Sequence, residues 1–254
     1  MAQPFSRLAD PRPLSSHDQM ARTLATEILQ GVYPPGANLP PEPELLTRFG
    51  VSRTVLREVS KTLSAKGLVV AKTRVGTKVL DPVHWNYFDA DLLAWKVSLG
   101  LDAEFRQALT EIRRAIEPPA AALAAQRRKD QDLVALHHWL DAMARPRHTP
   151  QSFAESDLEF HLAIGAASGN PLMRSIAAVI ETALIAAFQL SSPANDRRLQ
   201  ETTVAGHAAI LDAIEARNPK AAAAAMLAVI DEGHDRIEDE IGAQAQIRAR
   251  TGAA

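Results

Sequence analysis

Two residues of metal-binding type lie one helical turn apart in the stretch ESDLEFHLAIGAASGN, at positions 155–170. Asp157 and His161 are four residues apart, and this spacing puts both side chains on one face of a helix. His207 interrupts a second apolar stripe further along the chain. A carboxylate and two imidazoles that converge from two helices can bind a divalent metal such as zinc. The sequence therefore predicts a metal site of Asp157, His161 and His207.

An arginine on a third apolar stripe adds an anion-binding group. Arg113 lies among the apolar residues of its predicted helix, where a charge is costly to bury unless an anion meets it. An arginine beside a bound metal can hold a carboxylate with two hydrogen bonds. We therefore expect a pocket for a small carboxylate effector, formed by Arg113, Asp157, His161 and His207.

The same residue types also occur in proteins that bind no metal. A histidine in an apolar stripe is often a hydrogen-bonded core residue, and an Asp–His pair on a helix is often a surface interaction. Two histidines and a carboxylate with an open position also occur in catalytic zinc sites, so a metal-dependent enzyme acting on a small carboxylate is an alternative. Against it, the sequence has no HExxH spacing and no obvious general base beside the ligands.

The elements that must hold this site are helices. From residue 101 onward apolar side chains recur at helical spacing, and no strand pattern stands out. The first helix is expected to break or kink at Pro118–Pro119, and the others are predicted at 131–144, 152–168, 171–190, 196–217 and 219–241. The second half of the chain is thus predicted to be an all-α helical bundle.

The first 81 residues have a different organisation. Helical spacing predicts three helices, in DQMARTLATEILQ, PEPELLTRF and VSRTVLREVSKTLSAKGL, and VVAKTRVGTKVL is typical of a small β-hairpin. Three helices and a hairpin in this order predict a winged helix-turn-helix, which binds DNA.

The third of these helices carries residues suited to reading DNA. Arg53 and Arg57 share a face about 100° from the apolar stripe, and Arg53 lies in the first turn, where it can bind guanine. Ser52 and Thr54 are short donors suited to phosphates, and Arg74 at the hairpin tip could enter a minor groove. Two arginines on a helix can also form only a solvated basic face.

Composition agrees with a DNA-binding front half. The chain has 254 residues, 46% hydrophobic and 23% charged, and no cysteine, which excludes disulfides and thiolate chemistry. Residues 1–81 contain 11 Lys and Arg against 7 Asp and Glu, whereas the remainder contains 17 against 23. The N-terminus lacks the apolar segment of a signal peptide, and no run reaches membrane-span length, so a cytoplasmic protein without membrane contact is expected.

Four aromatic side chains are concentrated between the two halves, in DPVHWNYFDADLLAWKVSLG. They are Trp85, Tyr87, Phe88 and Trp95. Such a cluster could mark a ligand site, but we favour a linker that its aromatic residues anchor onto the following domain.

The sequence also resembles a known family. LPPEPELLTRFGVSRTVLREVSKTLSAKGLV and RVGTKV resemble the DNA-binding domain of GntR-family bacterial transcription regulators, over about residues 15–80. ESDLEFHLAIGAASGNPLM, EIRRAIEPPAAALAA and HAAILDAIEARNPKAAAAAM resemble the FCD effector-binding domain of its FadR subfamily, over about residues 100–240. The pattern of Trp85-Asn86, Asp89, Asp91 and Trp95 is similar to the sugar-acid-responsive group of that subfamily.

The resemblance implies roles for particular residues. Arg53 and Arg57 would read the operator with help from the wing at Arg74–Gly76, whereas Pro43 stands where some relatives have a basic contact residue. In many FCD domains an Asp and three His bind a metal, which in turn binds a carboxylate effector. Asp157, His161 and His207 match three of these ligands, and Arg113 matches the arginine that contacts the effector.

The fourth ligand has no match. The family pattern puts a histidine near position 229, where this chain has Val229, and His234 lies about 140° further round the helix. Effector or water would then complete the metal's shell, or the pocket binds its anion without a metal.

Together these features predict a mainly α protein with a winged helix-turn-helix domain and an FCD-type bundle. The predicted divisions are a flexible N-terminus at 1–14, the DNA-binding domain at 15–81, a linker at 82–100, the effector and dimerisation domain at 101–241, and a flexible tail at 242–254. The expected function is a homodimeric regulator, most simply a repressor, that binds operator DNA and responds to a small carboxylate, with a sugar acid favoured. An architectural DNA-binding protein whose helical half only dimerises is a further alternative.

Overall fold

The chain forms two units, Met1–Leu99 and Gly100–Ala254, each with its own apolar core. The structure is a computed structural model that describes residues 14–72, 75–176, 185 and 192–251, with side chains of the last helix described up to residue 242.

The N-terminal unit begins with three helices and a hairpin. They are α1 (Ser16–Leu29), α2 (Glu42–Phe49), α3 (Arg53–Ala65), β1 (Val69–Lys72) and β2 (Gly76–Val79). The strands are antiparallel, with Val69 opposite Val79 and Lys72 opposite Gly76. This order confirms the predicted winged helix-turn-helix.

Helix α3 owes its position to its cap and its apolar stripe. The Ser52 hydroxyl accepts a hydrogen bond from the Val55 amide at 3.3 Å, which satisfies one of the free donors of the first turn. Leu56, Val59 and Leu63 are buried in the core of the unit, and burying each is worth about 1.5–3 kcal/mol. The face about 100° away, which carries the two arginines, remains exposed.

The segment predicted to be a linker packs on the N-terminal unit. It contains a short 3₁₀ helix, Pro82–His84, and α4, Ala90–Ser98. Leu92 is fully buried in the same core as α1 and α3, and Trp85 and Trp95 pack against that core. The prediction that aromatic residues anchor this segment onto the following domain was therefore wrong, because its apolar side chains are buried on the preceding one.

A buried lysine holds this segment at the end of α3. The Lys66 side chain is 6% exposed, and its Nζ lies 2.6 Å from Asp89 Oδ1 and 2.7 Å from Asp91 Oδ2. Burial lowers the pKa of Lys66, but the two carboxylates more than offset this and leave the pKa raised. The Trp95 ring centroid is 5.2 Å from the same ammonium group. Gly67 follows, and a side chain there would overlap the carbonyl oxygen of His84.

The C-terminal unit is an all-α bundle, as predicted. Its helices are α5 (Ala103–Arg127), α6 (Asp130–Ala144), α7 (Pro150–Ala167), α8 (Arg197–Glu215) and α9 (Pro219–Thr251), and residues 171–176 are also helical. Apolar side chains of different sizes fill the core, including Ala121 and Ala124 of α5, Phe160 and Ile164 of α7, Ile210 and Ile214 of α8, and Met226 and Ile230 of α9. None of the helices in the described ranges is long and apolar enough to cross a bilayer.

Two helices are longer than the sequence predicts. Helix α5 continues through Pro118 and Pro119, because the alanines that follow are buried and their packing stabilises the continuation. Helix α9 continues to Thr251, ten residues past its predicted end and into the predicted tail at 242–254. That segment contains no proline and is rich in good helix formers. Residues 1–13 and much of the predicted helix 171–190 lie outside the described residues.

Replacing the buried lysine tests how firmly α4 is held. We expect Lys66→Met to lower the free energy of unfolding of the N-terminal unit by about 1–3 kcal/mol, because two charged hydrogen bonds are lost. Hydrogen–deuterium exchange of the α4 amides, compared with wild type, measures the change. The control is Lys61→Met, which removes an exposed ion pair with Glu58 and should cost less than about 1 kcal/mol. Equal effects would contradict the role of Lys66.

Candidate metal and effector site

Buried acidic and imidazole groups of the C-terminal unit come from two helices. Asp157 and His161 lie on α7 and His207 lies on α8, and their exposed fractions are 8%, 6% and 1%. The ring of Phe160, which is fully buried, contacts His207 edge to face at 5.4 Å between centroids. The three residues predicted to bind metal are therefore buried within the bundle.

One carboxylate oxygen joins the two imidazoles. Asp157 Oδ1 lies 3.0 Å from Nε2 of His207 and 3.2 Å from Nε2 of His161. Ligand atoms of the three residues all lie within 4.8 Å of one another. The structure thus brings together the three side chains that the sequence places 4 and 46 positions apart.

Each imidazole is oriented by an acceptor on its other nitrogen. The Nδ1 atom of His207 lies 2.8 Å from the backbone carbonyl oxygen of Thr203, and Nδ1 of His161 lies 2.6 Å from Oε2 of Glu117. A carbonyl oxygen only accepts hydrogen bonds, so Nδ1 of His207 carries a proton. The 2.6 Å ion-pair contact with Glu117 favours a proton on Nδ1 of His161 as well. The Nε2 atoms of both rings are the ones that lie near Asp157.

Arg113 joins the site through Glu117. Its Nε lies 2.7 Å from Glu117 Oε1, and a second nitrogen donates to Oε2 at 3.3 Å. Both side chains are about nine-tenths buried. The four residues predicted to bind the effector thus belong to one connected polar network, in which Arg113 meets a carboxylate of the protein itself.

Opposite charges in this network stabilise one another's ionised forms. Burial raises the pKa of the Glu117 carboxyl, but the charges of Arg113 and His161 lower it to about 2. The pKa of Asp157 is likewise raised by burial, but the charge of His207 and hydrogen bonds from both imidazoles hold it well below its usual range. Burial lowers the pKa of His161, whereas the charge of Glu117 and the hydrogen bond to Asp157 raise it, with a net value of about 9.

The residues predicted to contact DNA lie on one exposed side of the N-terminal unit's third helix and on the hairpin. Ser52, Arg53, Thr54 and Arg57 are all exposed. Arg53 is 81% exposed and makes an exposed ion pair with Glu42 at 3.1 Å, which a phosphate or base could replace at little cost. Gly76 begins β2 with a φ of 105°, a conformation that favours glycine. Arg74 lies outside the described residues.

Known proteins share both halves of this arrangement. Residues 17–79 match the family described as bacterial regulatory proteins, gntR family, and residues 108–232 match the FCD domain. The chain is 31% identical to the galactonate operon transcriptional repressor of Escherichia coli (strain K12), over 89% of this chain and 98% of that protein. It is also 31% identical to the transcriptional regulator LutR of Bacillus subtilis (strain 168), over 79% of this chain and 91% of that protein.

The chain belongs to the GntR family. Among solved structures, that of Lar, which controls the expression of the Listeria monocytogenes agr system, has the same fold, with a TM-score of 0.61, 20% identity, and coverage of 90% of this chain and 99% of that one. The protein is thus a DNA-binding, ligand-responsive transcription regulator with an FCD domain and not an enzyme, as the sequence predicts.

The resemblance to the FCD domain implies a fourth metal ligand, a histidine, near position 229. This GntR-family regulator has Val229 there. A methyl group of Val229 lies 3.1 Å from the position that a side chain on Gly206 would occupy, so Val229 packs against α8 at the residue that precedes His207. His234 instead pairs with Thr110, with 3.2 Å between Nδ1 and Oγ1. It is not part of the Asp157, His161 and His207 group.

Sequence reasoning missed two partners in the site. Glu117 follows Arg113 by four residues in EIRRAIEPP, and an acid in this position on an otherwise buried face was a usable signal. The carbonyl of Thr203 had no such signal, because a backbone acceptor is set by the helix geometry and not by the residue type.

Stability should depend on pH in chelator-treated protein. The pKa of His161 is raised from 6.5 to about 9, so its contribution is complete below pH 6.5 and is lost as pH rises towards 9. We expect a loss of about 3 kcal/mol over this window, measured by chemical denaturation. A His161→Gln variant should show a flatter profile. A wild-type stability that is constant from pH 6.5 to 9 would contradict the network described for His161.

Proposed function

We propose that this regulator binds a divalent metal on Asp157, His161 and His207 and, through it, a small carboxylate that controls operator binding. The observation that carries the proposal is the convergence of two imidazoles on one carboxylate oxygen, Asp157 Oδ1, which lies 3.0 Å and 3.2 Å from their Nε2 atoms. We further propose that it acts as a homodimeric repressor and that the carboxylate is a sugar acid.

The imidazole orientation favours a cation at this point. With Nδ1 protonated on both rings, Nε2 meets Asp157 either through a second proton, which makes the ring cationic, or, when that proton is absent, with a lone pair that faces the lone pairs of the carboxylate. Such a contact between acceptors is unfavourable in a buried site unless protons or a metal lie between them. A single divalent ion satisfies all three groups at once.

The two separations that involve Asp157 also fit the dimensions of a zinc site. Ligand atoms about 2.0–2.1 Å from a tetrahedral zinc are about 3.3 Å from one another. The separations from Asp157 Oδ1 to the two Nε2 atoms, 3.0 and 3.2 Å, are close to that value. Glu117 and the Thr203 carbonyl supply the outer hydrogen bonds that metal-binding histidines generally make.

Three protein ligands leave the metal's shell incomplete, and this supports a role for it in binding the effector. Val229 offers no ligand atom, so water or an effector oxygen would complete the shell. When bound, the metal supplies positive charge to attract a carboxylate oxygen. Arg113, joined to the same network through Glu117, can hold the second oxygen of that carboxylate.

The class of carboxylate is proposed from similarity. The relative that is 31% identical over nearly its whole length is named as a repressor of the galactonate operon, and galactonate is a sugar acid. The sequence pattern of residues 85–95 is similar to the sugar-acid-responsive group as well. We therefore favour an aldonate or aldarate as effector and repression as the regulatory outcome.

Operator binding requires two copies of the chain. One recognition helix reads a single half-site, so an inverted repeat calls for a dimer with its two α3 helices at a fixed spacing. The effector can release DNA only if it binds more tightly to a conformation in which that spacing is wrong. Helix α5, which carries Arg113, begins three residues after the junction at Gly100, and it is our candidate for transmitting the change.

Thermal stabilisation by sugar acids tests the proposed effector. At about 100 times its Kd, an effector should raise the Tm of zinc-loaded protein by roughly 5–10 °C. Galactonate, other aldonates, aldarates and short carboxylates would be compared before and after chelation. We expect one sugar acid to stabilise the protein only when metal is present.

Matched histidine variants sharpen this experiment. His207→Gln should abolish the shift, whereas His137→Gln, which changes an exposed histidine paired with Glu215, should retain it. A shift that survives chelation would favour a metal-free pocket. No shift with any acid would favour a bundle that only dimerises.

Substitution of the first-turn arginine tests DNA reading. On an operator selected from random DNA by the protein itself, Arg53→Ala should cost roughly 1–3 kcal/mol and relax specificity at one base pair. Fluorescence anisotropy with single-base operator variants measures both effects. Arg22→Ala, on the exposed side of α1, is the control. An equal loss on operator and random DNA would make Arg53 a phosphate contact.

A further inference from the structure

A buried glutamate connects the two halves of the proposed site. One oxygen of Glu117, Oε2, lies 2.6 Å from Nδ1 of His161, and the other, Oε1, lies 2.7 Å from Nε of Arg113. The Glu117 side chain is 12% exposed, and that of His161 is 3% exposed. The resemblance to the FCD domain implies site roles for Arg113, Asp157, His161 and His207, and it assigns none to Glu117.

The two imidazoles of the site are oriented in different ways. His207 donates to a backbone carbonyl, which no substitution of a side chain removes directly. Nδ1 of His161 instead forms an ion-pair contact with a side chain, that of Glu117. The orientation of the His161 ring therefore depends on the side chain at position 117, whereas the orientation of the His207 ring does not.

We propose that Glu117 is a positioning residue for the metal site, which holds His161 with Nε2 turned towards Asp157 and links that ligand to Arg113. This inference rests on the metal site proposed above. Glu117 suits the role because it presents two acceptors to two donors, the Nδ1–H group of His161 and the guanidinium of Arg113. With both donors satisfied, the Nε2 lone pair of His161 is left for the metal.

An amide at this position cannot satisfy both neighbours. Glutamine has one acceptor oxygen and one NH₂ donor, whereas Arg113 and the Nδ1–H group of His161 are both donors. If the oxygen turns to Arg113, the NH₂ group faces His161 and favours the tautomer with its proton on Nε2. That tautomer cannot bind a metal through Nε2.

Metal titration of the full-length, chelator-treated protein tests this role. Zinc would be titrated in competition with a chromophoric chelator of known affinity. We expect Glu117→Gln to weaken zinc binding by about 10–100-fold. The matched control is Glu111→Gln, an exposed acid on the same helix that pairs with Gln107, and its affinity should equal that of wild type.

A double variant separates positioning from a general loss of structure. In Arg113→Met with Glu117→Gln, the glutamine oxygen no longer has Arg113 as a competing donor and can accept from His161. We expect this double variant to recover most of the zinc affinity that Glu117→Gln loses. The two new side chains are uncharged and similar in volume to the arginine and the glutamate that they replace. The double variant therefore also serves as the test if Glu117→Gln alone fails to fold.

The outcomes distinguish this inference from the proposed function. If wild type binds zinc and Glu117→Gln binds it within about threefold, the role of Glu117 is wrong and the metal site stands. If the affinity lost in Glu117→Gln is not recovered in the double variant, Glu117 is only a structural residue. If wild type binds no divalent metal, the proposed metal site and the role of Glu117 fall together.

Discussion

Two imidazoles that share a single carboxylate oxygen set the main constraint on the C-terminal unit. Asp157 Oδ1 lies 3.0 and 3.2 Å from the Nε2 atoms of His207 and His161, and all three side chains are buried. Such a cluster is expensive to remove from water, so its charges must balance. The balance comes from α5, which supplies Glu117 and Arg113, and from a cation, either protons on the imidazoles or the proposed metal.

This constraint explains several features of the bundle around it. Helices α5, α7 and α8 must be close enough for short polar contacts between them, and the alanines of α5 allow that approach because they add little volume. The rigid packing of Phe160 against His207 limits the movement of one ligand.

Sequence patterns predicted the fold well where periodicity or capping was strong. The α3 stripe and its Ser52 cap, and the spacing of Asp157 and His161, could all be identified from residue types alone. The packing of the segment from Pro82 to Ser98 was harder to predict. It depends on ion pairs between two acids of the segment, Asp89 and Asp91, and Lys66, which lies more than 20 positions before them. Glu117 was missed for a similar reason, since its partner His161 lies on another helix. Contacts between distant residues depend on how the helices pack, and periodicity does not report that.

X-ray absorption at the zinc edge of the reconstituted regulator tests the central claim most directly, because it reports the ligands of the ion itself. We expect a shell with two imidazole nitrogens at about 2.0–2.1 Å and the remaining positions filled by oxygen. Addition of a stabilising sugar acid should change the oxygen contribution and leave the imidazole contribution intact. A spectrum without two imidazoles would contradict the site built on Asp157, His161 and His207.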